Sequence, residues 1–300
     1  MYIPKESTRR QRGLLSNISE LAFLLLIVFL IRTFGFGLYQ VPTGSMETTM
    51  LVGERFFADK FSYLLRKPAH NEIIAFNDAR YKYSDNPLVY LFEQYAWGPT
   101  NWTKRVIGIP GDIVRGTIED GKAVVYINDQ KLDEPYTNKY PLIRMASPDR
   151  SSSRFYEEGS PKSFDPNTPL DQQPFYRIDP MRIISGPDGA PSLIYPTNVR
   201  RFDEGQRYMA RRDDRNYWNS SDEFYVELGG DQYWVMGDNR QGSFDSRAFG
   251  PIEGKMIHAR IIFRIWSVDS DESWVILDLL KHPIDFWSRI RFSRFFQWVS

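Results

Sequence analysis

Val41-Pro42-Thr43-Gly44-Ser45-Met46 and Trp102-Thr103-Lys104-Arg105-Val106-Ile107-Gly108-Ile109-Pro110-Gly111-Asp112 are the stretches on which the fold of this chain turns. The second is a strand with a stop signal. Trp102, Lys104 and Val106 alternate with Thr103, Arg105 and Ile107, so the two sets face opposite sides of an extended backbone. Pro110-Gly111-Asp112 then closes it with a turn, Pro fixing φ and Gly accepting positive φ. Lys104 is bracketed by apolar neighbours on its own face, which disfavours the ammonium and lowers its pKa. The first stretch is a loop. Pro42 stiffens it, and Gly44 lets the backbone beside Ser45 come close to another molecule.

Outward from these stretches, more strands appear. Phe36–Val41, Arg55–Phe61 and Glu72–Phe76 read as strands, and Asp112–Ile118 with Ala123–Ile127 reads as a hairpin around Glu119-Asp120-Gly121. Asn128-Asp129-Gln130 is a further turn, and strands resume at Phe224–Leu228, Tyr233–Met236 and Met256–Trp266. No stretch of the body sustains a 3.6-residue apolar period, so the expected fold class is mainly β. Between about 136 and 222 the composition turns to Pro, Ser, Asp and Arg, with Ser151-Ser152-Ser153 and Arg211-Arg212-Asp213-Asp214-Arg215. This reads as an inserted β sub-domain with long loops, expected to be separable from any site because no chemistry-bearing segment falls inside it.

Ahead of the first strand runs the apolar segment Leu21–Ile31. Counted from Leu14 to Ile31, between Arg12 and Arg32, it spans about 27 Å as a helix, close to the hydrocarbon thickness. Two readings follow: a retained anchor, or a cleavable leader with Gly35-Phe36-Gly37 as the processing site. The retained anchor divides the chain into a tail (1–13), a transmembrane segment (14–38) and a body (39–300). Lys5, Arg9, Arg10 and Arg12 then place the N-terminus in the cytoplasm. At the other end, Trp274–Ser300 mixes Phe286, Trp287, Phe292, Phe295, Phe296 and Trp298 with Arg289, Arg291 and Arg294. It fits an interfacial helix with its cations on phosphates, or a tail helix packed on the body.

Composition excludes several chemistries. The 300 residues hold 38 Lys plus Arg against 38 Asp plus Glu, so no net field draws nucleic acid. With no Cys there is no disulfide framework, thiolate nucleophile or cysteine metal site. The histidines His70, His258 and His282 lie far apart without ligand spacing, so no metal and no cofactor is expected. A nucleophilic Ser45 therefore needs a base other than histidine, and Lys104 is the best-placed candidate.

A third segment, Gly237-Asp238-Asn239-Arg240-Gln241-Gly242-Ser243-Phe244-Asp245-Ser246-Arg247, completes a set. The three segments, in this order behind an apolar run, resemble those of the bacterial type I signal peptidases, membrane-bound proteases that remove signal peptides from exported proteins. The resemblance implies a signal-peptidase-type β fold with one N-terminal transmembrane helix. It implies Ser45 as nucleophile and Lys104 as base, Thr43 and the Ser45 backbone N–H as oxyanion donors, and Ser243, Asp245 and Arg247 as support for the dyad. Ser243 would hydrogen-bond the lysine, and Asp245 with Arg247 would form an ion pair. Tyr39, Val41, Met46, Met50 and Trp102 would shape shallow substrate pockets for small side chains. Implied partners are signal peptides of preproteins and the phospholipid membrane. The implied place is the bacterial inner membrane, single-pass, with the catalytic domain on the periplasmic face. The chain departs from the family's pattern at Glu47-Thr48, where a Pro is usual, and at His70-Asn71-Glu72, where Arg-Gly-Asp is frequent. Two other readings stay in view: an inactive, membrane-anchored relative that binds without cutting, and a self-cleaving repressor peptidase, disfavoured by the apolar run.

Overall fold

The computed structural model describes residues 14–95, 98–120, 122–146, 161–194, 222–270, 272 and 274–299. The basic tail, Ser151–Ser153 and Arg211–Arg215 lie outside them. A helix over Leu14–Leu30 continues through a wider turn, Ile31–Gly35, and the stretch Asn17–Gly35 is long and apolar enough to cross a membrane. Its described side chains touch almost nothing in the rest of the chain. The backbone then enters β1 (Phe36–Gln40) directly, and Lys60 and Phe61 donate their N–H groups to Gly35 O at 2.9 and 3.2 Å.

The body is built on antiparallel sheet, as its alternating sequence requires. The main sheet runs β1, β2 (Glu54–Asp59), β14 (Ile257–Ser267), β3 (Ile73–Asn77), β4 (Asn101–Gly108), β12 (Gln232–Met236) and β13 (Ile252–Glu253). A short β15 (Gln297–Trp298) pairs with β14. β3 is buried on both faces. Ile73 and Ala75 enter a cluster with Val41, Met46, Met50 and Phe56, and Ile74 and Phe76 enter another with Val106, Tyr233 and Val235. A second sheet carries the expected hairpin, β5 (Ile113–Glu119) and β6 (Lys122–Ile127), flanked by β11 (Phe224–Glu227) and β7 (Gln130–Lys131). Glu119 pairs with Lys122 across a two-residue turn, and Asp120 takes the positive φ of 50° that such a turn demands.

The inserted region forms a small sheet of β8 (Leu142–Ile143), β9 (Lys162–Ser163) and β10 (Leu193–Ile194). It is not separate from the site. Ile143, Met145, Tyr176 and Ile178 pack on Leu51 and Val52, just beyond the serine stretch. The expectation of an independent insertion is therefore corrected: its core is completed by the nucleophile loop itself.

Two further expectations change. Pro87–Tyr95 is a helix that the periodicity reading missed, because two and a half turns are too few to show a period. Its local signals were present: Pro at the first position, and Asn86 Oδ1 accepting from Leu88 N at 2.9 Å. The C-terminal stretch is not one helix but two short helices, Val275–Lys281 and Asp285–Ser288, a 3₁₀ turn and β15. Its arginines turn inward rather than to lipid phosphates. Arg289 pairs with Asp278 at 2.7 Å, Arg291 with Asp269 at 3.0 Å and Arg294 with Glu54 at 2.5 Å. Trp287, Phe292, Phe296 and Trp298 stay exposed.

Candidate active site

Ser45 lies in a 3₁₀ turn, Gly44–Met46, entered from an extended Thr43. Lys104 lies in the middle of β4, opposite Ile74 of β3. The fold brings them together: Lys104 Nζ is 2.9 Å from Ser45 Oγ and 3.1 Å from its own neighbour's carbonyl, Thr103 O. Both residues are buried. Burial lowers the lysine pKa to about 8, with Arg247 pushing the same way and Asp245 and Asp238 opposing. An amine so held is neutral often enough near physiological pH to accept a proton from a hydroxyl. The Trp102 ring centroid lies 5.8 Å from Lys104 Nζ and packs edge-on against Phe76, Phe244 and Phe249, walling one side of the amine.

The third segment wraps behind this pair. Asp245 and Arg247 are buried and joined by two bonds, Arg247 Nε to Oδ1 at 2.9 Å and Nη2 to Oδ2 at 2.8 Å. Burial alone would raise the Asp245 carboxyl, but the Arg247 guanidinium and the Gly237 N–H, donating at 2.9 Å, hold it below the usual range. Ser243 is buried beside them, yet its Oγ makes no hydrogen bond to Lys104. Gly237 explains the packing there. A Cβ at this position would sit 2.2 Å from Ser243 Oγ and 2.5 Å from Ser45 O, so only glycine lets the two serines flank the turn.

Several residues that hold the site were missed by sequence reasoning, which singled out only Ser243, Asp245 and Arg247 in the third segment. Asn239 reaches back to the nucleophile: its N–H donates to Ser45 O at 3.1 Å and its Nδ2 to Gly44 O at 2.9 Å. Asp238 takes two bonds from Arg105, at 2.8 and 2.7 Å, and a third from Thr49 Oγ1 at 2.6 Å. Arg105 and Asp238 are 1% and 0% exposed, and Arg105 also donates to Asn71 O at 2.8 Å. Asn71 adopts a φ of 65°, the left-handed backbone that Asn tolerates better than most residues. The only signal for Asp238 and Asn239 was two short polar residues between apolar strands, which a solvated turn shares.

The remaining expected residues fall around this centre. Thr43 is exposed, immediately before the turn. Tyr39 is partly buried, its ring 6.1 Å from that of His258. Val41, Met46 and Met50 belong to the core cluster, with Met46 and Met50 2% and 1% exposed, so they form the floor beneath the surface rather than standing free on it. Glu47 does not sit beside the nucleophile as an exposed charge. It is fully buried and bound by the insertion. Among the described residues no group of His, Asp and Glu is arranged to hold a metal.

The structure thus sets a buried serine–lysine contact in a mainly β body that follows an apolar N-terminal helix. The family model of signal peptidase, peptidase S26, matches residues 14–266, so this chain belongs to that family. It is similar to signal peptidase I of Buchnera aphidicola from Acyrthosiphon pisum, at 25% identity over 89% of this chain and 80% of that protein. Signal peptidase I of Rickettsia bellii is 28% identical over 92% and 83% of the two chains. A solved signal peptidase I from Enterococcus faecalis aligns at 20% identity and a TM-score of 0.28 over 65% of this chain and 97% of that one, too loosely to bear on site geometry. The chain is an enzyme of the signal peptidase I class, a protease that cleaves signal peptides.

Proposed function

We propose that the protein cleaves signal peptides from exported preproteins through an acyl-enzyme on Ser45, with Lys104 as the base, while anchored by its N-terminal helix. The 2.9 Å contact between a buried lysine amine and a loop serine hydroxyl carries this reading. In the first half-reaction the Ser45 Oγ–H proton passes to neutral Lys104 Nζ as Oγ bonds to the scissile carbonyl carbon. The resulting oxyanion is held by the Thr43 hydroxyl and the Ser45 N–H. Collapse breaks the C–N bond, and Lys104 returns the proton to the departing amine. Water then loses a proton to Lys104 and attacks the ester carbon. As the C–Oγ bond breaks, Lys104 returns that proton to Oγ, restoring the Ser45 hydroxyl, and the signal peptide's new carboxyl group leaves and ionises to solvent. Asp245 and Arg247 fix the wall behind the amine, and Ser243 is a hydroxyl within reach of that wall.

The substrate end of the proposal is a signal peptide with small residues at its −1 and −3 positions, lying in shallow pockets shaped by Tyr39, Val41, Met46, Met50 and Trp102. The membrane is the phospholipid bilayer of a bacterial inner membrane, crossed once. The basic tail lies in the cytoplasm and the body on the periplasmic face. Exposed Phe61, Leu64 and Leu65 support this placement, because Lys60 and Phe61 are hydrogen-bonded to the helix exit at Gly35. The test is purified protein in detergent against a preprotein. Cleavage at the signal-peptide boundary, lost in Ser45→Ala, is the expected result. Binding of the preprotein without cleavage by the wild-type chain would instead favour an inactive relative.

A further inference from the structure

We infer that Glu47 is a positioning residue through which the inserted sheet holds the nucleophile loop in its reactive shape. The inference rests on the dyad reading above and extends it to a part of the chain that carries no catalytic segment. Glu47 follows Ser45 by two residues and is fully buried, yet among the described residues it forms no ion pair within contact distance. A carboxylate in that position is costly unless donors surround it. Among the described residues, the hydrogen-bond donors to its carboxylate come from the insertion. Ser163 gives its N–H at 3.0 Å and its hydroxyl, and Tyr176 gives its phenol. Nearby charge comes from Lys162, whose Nζ lies 4.2 Å from the Tyr176 ring centroid, and the Arg291 guanidinium carbon lies 5.1 Å from the same centroid. Burial pushes the Glu47 carboxyl up, and Ser163, Tyr176 and Lys162 oppose it.

The other end of this link is the nucleophile turn. Glu47 N donates to Gly44 O at 3.1 Å, closing the 3₁₀ turn that contains Ser45. A Cβ on Gly44 would lie 2.4 Å from Glu47 Oε1, so the carboxylate is pressed against the backbone immediately before the nucleophile. Tyr176 acts on both sides of the loop, because its oxygen also accepts from Val52 N at 3.3 Å. Ser163 is tied in turn to the third segment: Asn138 Nδ2 donates to its hydroxyl at 2.9 Å, and Asn138 N donates to Asp238 O at 2.8 Å. The insertion thus grips the loop at Glu47 and at Val52, and is itself registered to the turn that holds Ser45 from behind. Removing the Tyr176 phenol leaves the carboxylate short of a donor, and the turn beside Ser45 shifts to find water. A displacement of about 1 Å at a reacting group costs about 10²-fold in rate.

The experiment uses the full chain in detergent with Tyr176→Phe, Glu47→Gln and the double variant, read by preprotein cleavage and by hydrogen exchange of amides 44–53. Tyr176→Phe keeps the ring and should lower kcat between tenfold and about 10²-fold with KM little changed. Its kcat pH profile should also move. A loosened loop admits water to Lys104 and relieves its desolvation, so the acid limb shifts toward higher pH, the direction in which Asp245 and Asp238 already pull and Arg247 opposes. Amides 44–53 should exchange faster. Glu47→Gln retains the length and one acceptor and should lose less, and the double variant should be no worse than Tyr176→Phe, since both act on one contact. Unchanged exchange and kcat in Tyr176→Phe would overturn the inference. So would a loss of activity that tracks the unfolded fraction with no shift of the pH limb, because that is stability alone. If wild-type protein fails to cleave, the dyad reading fails, while the exchange measurement still decides whether the insertion holds the loop.

Discussion

Lys104 and Ser45 meet at 2.9 Å, but they are brought there by different means. The lysine stands on β4, which is laddered on both sides: Ile74 pairs with Lys104 across to β3, and Met236 pairs with Arg105 across to β12. Backbone hydrogen bonds fix its place, and they depend little on which side chains the neighbours carry. The serine stands on a three-residue turn with no ladder of its own. Its place depends on polar groups from distant parts of the chain: Asn239 on Gly44 and Ser45, Asp238 on Thr49, the insertion on Glu47, and Arg264 with Arg294 on Glu54 and Thr49. A site built this way has one stiff half and one half that single substitutions can loosen.

The largest effect should come from the stiff half, by changing chemistry without moving the backbone. Lys104→Met keeps the apolar stem and should lower cleavage by about 10⁴-fold or more, with the fold intact by circular dichroism. Lys104→Arg should fail as well, since a guanidinium stays protonated. In wild-type protein the base must be neutral, so kcat/KM should rise with pH and level off above about 8. Stability carries the same signature. The folded amine titrates near 8 and an ordinary lysine at 10.5, so between them the unfolded chain holds the extra proton and stability rises with pH. Lys104→Met should lack that rise. Substantial turnover in Lys104→Met would mean that the 2.9 Å contact is not the catalytic one.

Next in size is a change on the loop that leaves its supports alone. Thr43 is exposed and extended, free to turn its hydroxyl toward a substrate. Thr43→Val is close in size but has no proton to donate, and it should lower kcat by about 10²–10³-fold with KM little changed. Thr43→Ser should keep most of the rate. Near-normal kcat in Thr43→Val would remove Thr43 from the oxyanion site.

The same division explains what could be read in the sequence. β3, β4, the β5–β6 hairpin and β14 were legible to within about two residues at each end, because alternation and turn residues are local signals. Lys104 was legible with them: its apolar neighbours on the strand predicted the depressed pKa that burial produces. The supports of Ser45 were not. Asp238, Asn239, Glu47 and Glu54 are ordinary polar residues in loops and strand ends, and their partners lie tens to hundreds of residues away. Nothing local separates Glu47 from a solvated glutamate until Ser163 and Tyr176 are folded against it. The inward turn of Arg289, Arg291 and Arg294 was hidden for the same reason, since their carboxylates Asp278, Asp269 and Glu54 are specified only by the tertiary fold.

Asn239 measures the loose half directly. Asn239→Ala keeps the backbone bond to Ser45 O but strips Gly44 O of its 2.9 Å donor. Gly44 O then keeps only the Glu47 N–H at 3.1 Å, and losing one buried hydrogen bond costs about 0.5–1.5 kcal/mol, so the serine turn loosens. The expected outcome is a lower Tm together with a kcat reduced roughly tenfold and little change in KM. If kcat per folded molecule is unaltered, the turn is stiff by itself, and the contrast with β4 collapses.

The smallest effect should come from the C-terminal tail, where support is redundant. Arg294 donates to Glu54 Oε1 at 2.5 Å and to Thr48 O and Thr49 O at 3.3 and 3.1 Å, yet each main partner has another donor. Glu54 also accepts from Arg264 at 3.0 Å, from Ser267 at 2.9 Å and from Leu51 N at 2.9 Å, and Thr49 O also accepts from Arg264 at 2.6 Å. Arg294 is partly exposed as well, so solvent weakens its pairing and can replace it. Arg294→Ala should therefore cost about 1 kcal/mol, near the low end for a bond to a charged group, and lower kcat less than about threefold. Arg264→Ala should cost more, because that guanidinium is buried and its loss leaves the partly exposed Arg294 as the one cation paired with Glu54 among the described residues. Thermal unfolding and cleavage assays on both variants set the order. If Arg294→Ala proves the more damaging, then the tail is a principal support of the serine loop, and the loop depends on the end of the chain as heavily as on Asn239.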